Sequence, residues 1–106
     1  MNINEDLVEE IVKRILSVSV PSKVILFGSA ATGQMTRDSD IDLLIVENRP
    51  EDQRKESIRI REVLQGLGYA FDIIVISTEW FNESKEVIGG IAYPANKYGR
   101  VIYEVA

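Results

Sequence analysis

Apolar positions follow two rhythms along the chain. Over residues 4–18, Leu7, Val8, Ile11, Val12, Ile15 and Leu16 recur at three- and four-residue steps, the spacing that gathers one face of a helix. Asn4 stands where an N-cap belongs, Glu5 and Asp6 fall in the positive first turn, and Lys13 and Arg14 come late. Pro21 blocks continuation. Elsewhere the apolar residues form short runs: KVILF (23–27), IDLLIV (41–46), YAFDIIVI (69–76) and RVIYEV (100–105). Runs this short and this continuous predict strands covered on both faces.

Between the strands the pattern turns helical again. Asn48 and Pro50 announce a charged helix over 51–67, with Ile58, Val63, Leu64 and Leu67 as its buried edge and Gly66 and Gly68 as its stop. Thr78 is expected to cap a helix reaching about Ile88, which Gly89-Gly90 breaks, and a short helical stretch follows over 94–98. Trp80 and Phe81 are expected to pack on the sheet, and Tyr93, Tyr98 and Tyr103 to serve core or interface. The element order predicts an α+β (α/β-like) fold, a small mixed sheet of about four strands flanked by helices. At 106 residues, one domain spanning 1–106 is expected.

Composition narrows the chemistry. The chain has no cysteine and no histidine. Ser-His-Asp and Cys-His catalysis and thiol- or imidazole-bound metal are therefore excluded, and acid–base work falls to carboxylates, lysine, tyrosine or water. A net charge of -5 argues against a basic nucleic-acid face or an anionic membrane surface. The acidic start, MNINEDLVEE, does not read as a signal peptide. The apolar runs fall far short of the ~20 residues of a spanning helix. The expectation is a cytoplasmic protein that contacts neither membrane nor nucleic acid directly.

Against this background the aspartates stand out. Asp40 and Asp42 flank Ile41 at the mouth of a strand, and residues two apart point to one face. Two carboxylates so placed repel unless a cation lies between them, and oxygen-only ligands suit Mg²⁺, or Mn²⁺ in its place. Asp72 opens the apolar run IIVI in the same way. Should strands 41–46 and 71–76 be neighbours, three carboxylates could hold two metals for phosphoryl or nucleotidyl transfer. A solvated turn is the plainer reading of DSDID and suits Asp40 by itself; it suits Asp42 and Asp72 less, since charges are rarely set in buried strand runs without a partner.

Upstream, Gly28 ends a strand and Ser29 opens a segment, 29–32, that can form a first helical turn. There, backbone N–H groups and the Ser29 hydroxyl could meet a phosphate, with Gly28 permitting close approach. A plain capped turn is the alternative. The dinucleotide fingerprint is not met, because Ala30 stands at its middle glycine, and no Walker Gly-Lys-Ser/Thr occurs.

Gly28-Ser29, ten residues, Asp40-Ile41-Asp42 and a later strand-borne Asp72 together resemble the nucleotidyltransferase superfamily of DNA polymerase beta. The likeness is greatest to its minimal nucleotidyltransferase (MNT) branch, and it runs through LFGS, SDIDLLIV, FDIIVIS and GRVIYE. The resemblance implies that Gly28 and Ser29 bind the β- and γ-phosphates of ATP. It implies that Asp40, Asp42 and Asp72 are the catalytic residues and bind Mg²⁺, two ions in all, with Asp72 helping to deprotonate the attacking hydroxyl. It also implies an antitoxin that transfers AMP to a tyrosine of a HEPN-domain ribonuclease toxin, in a hetero-oligomer with it. Where many relatives carry arginines after Gly-Ser, this chain has Ala30, Ala31 and Thr32, which implies either weaker phosphate stabilisation or a substitute in Arg37 or Lys23, with a solvated loop charge the plainer reading of Arg37. A weakly catalytic module that neutralises its partner by contact, and transfer to a small molecule, are the competing readings.

Overall fold

The structure is a computed structural model that describes residues 3–36 and 38–105. The first helix, α1 (Glu5–Leu16), begins as expected: the Asn4 side chain accepts a hydrogen bond from the Asp6 N–H at 2.7 Å. Then come β1 (Lys23–Phe27), α2 (Ser29–Thr32), β2 (Ile41–Glu47) and α3 (Gln53–Val63). The chain closes with β3 (Phe71–Ser77), α4 (Thr78–Ser84), α5 (Ala92–Tyr98) and β4 (Arg100–Glu104).

Among the described residues the four strands form one mixed sheet in the order β3-β2-β1-β4. β1 runs antiparallel to β2 and β4, and β2 runs parallel to β3. The parallel pair needs a crossover, and α3 makes it.

Strand alternation splits the core in two. Leu26, Leu43, Ile45, Ile73 and Val75 point to one face, where they pack with Ile11 and Ile15 of α1 and Ile60 of α3. Ile25, Leu44, Val46 and Ile76 point to the other, with Phe81 of α4 and Ala92 and Ala95 of α5. Covering both faces is what made the strand runs continuously apolar.

Several expectations need correction, each for a local reason. The charged helix starts later and stops earlier than 51–67: Asp52, not Asn48 or Pro50, caps it by accepting from the Lys55 N–H at 3.1 Å. Its buried edge runs through Ile60 and Leu64, while Ile58 is 44% exposed. Residues 58 and 60 lie roughly 200° apart around a helix, so only one of them can face the sheet. Ser77, not Thr78, caps α4, accepting from the Trp80 N–H at 3.0 Å. Thr78 instead donates to the Asn48 side chain at 2.8 Å. α4 stops at Ser84 because Val87 and Ile88 find no core and stay exposed. Phe81 packs on the sheet as expected, whereas Trp80 is 43% exposed.

Candidate active site

β1 ends at Phe27, and the backbone must turn at once. Gly28 does so at φ 69° and ψ -151°, a region that side chains with a Cβ rarely enter. A Cβ built there would lie 2.3 Å from Asp42 Oδ2. The glycine is thus demanded twice, by the turn and by the carboxylate packed against it. Beyond it, α2 is a single tight turn. The N–H groups of Ala31 and Thr32 donate to the Gly28 carbonyl at 3.1 and 3.3 Å, and that of Gln34 to the Ser29 carbonyl at 3.1 Å.

The aspartates are gathered by strand pairing. Phe27 lies opposite Asp42 across the antiparallel pair, and Asp42 lies opposite Asp72 across the parallel one. Because β2 and β3 are parallel, both begin at the rim where β1 ends. Asp42 shares its face with Leu44 and Val46, and Asp72 with Ile74 and Ile76. Both therefore project from the sheet face that carries α4 and α5. Asp40, exposed, precedes β2 by one residue.

The electrostatics follow from this placement. The Asp42 carboxyl is half-buried and held above its ordinary value, by burial first, then by the negative charge of Asp72, then by that of Asp40. Each of the two other carboxylates thus acts on Asp42. Among the described residues, no three His, Cys, Asp or Glu side chains stand close enough to grip a metal ion as they are. The donor chemistry nonetheless suits a hard divalent cation: carboxylate oxygens only, in a chain without cysteine or histidine. An ion there would offset the repulsion that raises Asp42.

Of the two replacement cations named from the sequence, Lys23 is not at this rim. Lys23 sits at the other end of β1, opposite Val46, paired with Glu104 at 3.2 Å and lying 5.2 Å from the Phe81 ring centroid. Five residues of extended strand carry it away from Gly28. Arg37 lies outside the described residues. What the sequence did not signal is the approach of α5. Its last turn reaches this rim through Gly99, where an added Cβ would lie 3.1 Å from the Leu26 carbonyl oxygen and 2.6 Å from Ile25 Cγ2. Arg100 then pairs with Leu26. A contact between residues some seventy positions apart leaves no trace in local pattern.

A cleft of about 380 Å³, lined by Glu51, Asp52, Lys55, Glu56 and Arg59, opens at the start of α3. It lies past the Glu47 end of β2, away from the aspartate rim.

Comparison with known proteins bears on the family and the fold. A family model described as nucleotidyltransferase domain matches residues 6–93. Among solved structures, the chain resembles a candidate nucleotidyltransferase from Sulfolobus solfataricus at 22% identity and a TM-score of 0.63, covering 93% of this chain and 78% of that one. It also resembles a chain of a toxin–antitoxin structure with AMP-PNP, at 17% identity and a TM-score of 0.65, covering 92% of this chain and 73% of that one. Among curated proteins none matches in sequence. No helix among the described residues is long and apolar enough to cross a membrane.

Proposed function

The chain belongs to the nucleotidyltransferase domain family, and from that premise we propose that it is a Mg²⁺-dependent protein adenylyltransferase acting as an antitoxin. In this reading it transfers AMP from ATP to a tyrosine of a partner HEPN-domain ribonuclease toxin. The observation that carries the chemistry is the register of Asp42 against Asp72 beside Gly28, on neighbouring strands at one rim. The antitoxin role draws its support from the likeness to the toxin–antitoxin structure.

Gly28 and Ser29 would receive the β- and γ-phosphates. Asp40, Asp42 and Asp72 would hold Mg²⁺, which when bound supplies positive charge at the reacting phosphate. The tyrosine hydroxyl of the partner attacks the α-phosphorus, forming a new P–O bond while the bond to the β-phosphate oxygen breaks. The hydroxyl proton passes to the Asp72 carboxylate, and pyrophosphate leaves. Asp72, exposed and on the edge strand β3, is open to a macromolecular acceptor.

The test is to incubate the chain with α-labelled ATP, Mg²⁺ and the product of the adjacent gene, and to score label on protein and toxin activity together. Label on the partner, lost with Asp42→Ala along with neutralisation, is the expected result. Neutralisation that survives Asp42→Ala with no label transferred would point instead to inhibition by contact. Label appearing only on a small hydroxyl compound would remove the protein acceptor.

A further inference from the structure

We propose that Glu47, Ser19 and Glu56 form a pH-sensitive latch, in which a proton held by Glu47 fastens the crossover helix α3 to the sheet. Glu47 is the last residue of β2, at the opposite end from Asp42. The latch therefore stands apart from the aspartate rim and does not depend on the chemistry proposed there.

Among the described residues, Ser19 and Glu47 are the buried polar side chains, 7% and 6% exposed. A carboxyl is rarely buried so deeply without a partner. Strand alternation puts Glu47 on the face of Leu43 and Ile45, which α1 and α3 cover. On α3, Glu56 comes one turn before Ile60 and two before Leu64, so it shares their sheet-facing stripe. Its side chain is only 16% exposed. The two stripes meet at their polar ends, and Glu56 faces Glu47.

Hydrogen bonding decides which form of Glu47 fits. The Ser19 hydroxyl donates to Glu47 Oε2, and the Glu56 carboxylate accepts from Arg59. Two ionised carboxylates cannot bond to each other, because neither has a hydrogen to donate. A protonated Glu47 can accept from Ser19 and donate to Glu56, which joins the α1–β1 connection, β2 and α3. The strands bring no further charge to it: Ser77 of β3 stands opposite Glu47, and Lys23 of β1 is paired with Glu104. Glu51, Asp52 and Lys55 line the cleft that Glu56 and Arg59 share. Burial first, then the negative charge of Glu56, hold the Glu47 carboxyl above its ordinary value, against the opposing pull of the Ser19 hydroxyl and the Arg59 guanidinium. As pH rises through that raised value, Glu47 gives its proton to water and the bond to Glu56 is lost. Two carboxylates then face each other beneath α3. The latch is whole below the ordinary glutamate range and loosens as pH climbs through the raised value.

The experiment follows the Glu47 side-chain carboxyl by carbon NMR across pH in the full chain, assigned through the backbone. Hydrogen exchange over α3 is measured on the same samples and corrected for the intrinsic rate. Asp42→Asn is the background throughout, so the rim's own titration is removed. Glu47 should titrate above the ordinary value of 4.5, and its midpoint should fall in Glu56→Gln. Each unit by which the midpoint exceeds the ordinary value should appear as about a tenfold loss of α3 protection over the same pH range. That loss should be absent in Glu47→Gln, whose amide donates to Glu56 without titrating. A Glu47 midpoint at or below the ordinary value, or one that Glu56→Gln leaves in place, would overturn the latch. So would α3 protection that falls with pH as much in Glu47→Gln as without it. Should Glu47→Gln fail to fold, the midpoint and its response to Glu56→Gln decide the matter.

Discussion

Gly28 and Asp42 form the tightest coupling in the molecule between backbone and chemistry. The left-handed turn at Gly28 leaves room for the Asp42 carboxylate only because there is no Cβ. Gly28→Ala is therefore expected to cost about 1–3 kcal/mol through backbone strain and to push the Asp42 side chain aside, so urea unfolding and transfer assays should both register the change. Asp42 itself is held against its own stability. Its folded-state carboxyl takes up a proton more readily than the unfolded one does, because burial and the charges of Asp72 and Asp40 oppose ionisation. Folding stability should consequently fall as pH rises from the ordinary carboxylate range through the raised value, and stay lower above it. In Asp42→Asn that share of the fall should be absent. The metal-free variant should melt higher than wild type near neutral pH, while transfer, which the proposed function routes through Asp42 as a metal ligand, should fall to background. Thermal melts across pH in a chelating buffer check the first part. A variant that melts lower than wild type throughout would contradict it.

At the scale of elements, short polar interactions decide where helices begin, and they do so away from the rim. Asp52 starts α3 and Ser77 starts α4, each through one side-chain acceptor on a free N–H. α3 has an apolar stripe only two buried residues deep, Ile60 and Leu64, so its cap carries a large share of its local stability. Asp52→Ala is expected to cost about 1 kcal/mol and to leave nucleotide binding as it was, because β2 and β3 present their aspartates at the opposite end. A thermal melt read beside an ATP titration checks both halves. The same residues explain why element ends were harder to read than element types. Asp52 and Thr78 each follow another capping candidate within a few positions, and only the packing of Ile60 and Phe81 selects between registers.

For the whole molecule, the sheet order is what makes a site. β2 lies between β1 and β3, so a turn after β1, a carboxylate on β2 and a carboxylate on β3 come to one rim with a single register. α5 and β4 close the same rim from the far side of β1.

The aspartates, the glycine turn and the strand runs were legible because each depends on neighbours in sequence. Alternation sets the face of a side chain, a glycine marks a turn, and a charge inside an apolar run asks for a partner. The sequence by itself thus determined the α+β class, the four strands and the residues proposed to bind a metal and a phosphate. Only the tertiary structure decided that β2 and β3 run parallel with Asp42 against Asp72, and that Lys23 faces the wrong end. Those outcomes depend on which strands pair and which helix covers which face. That is settled by burying the whole apolar surface at once, and no local stretch of chain encodes it.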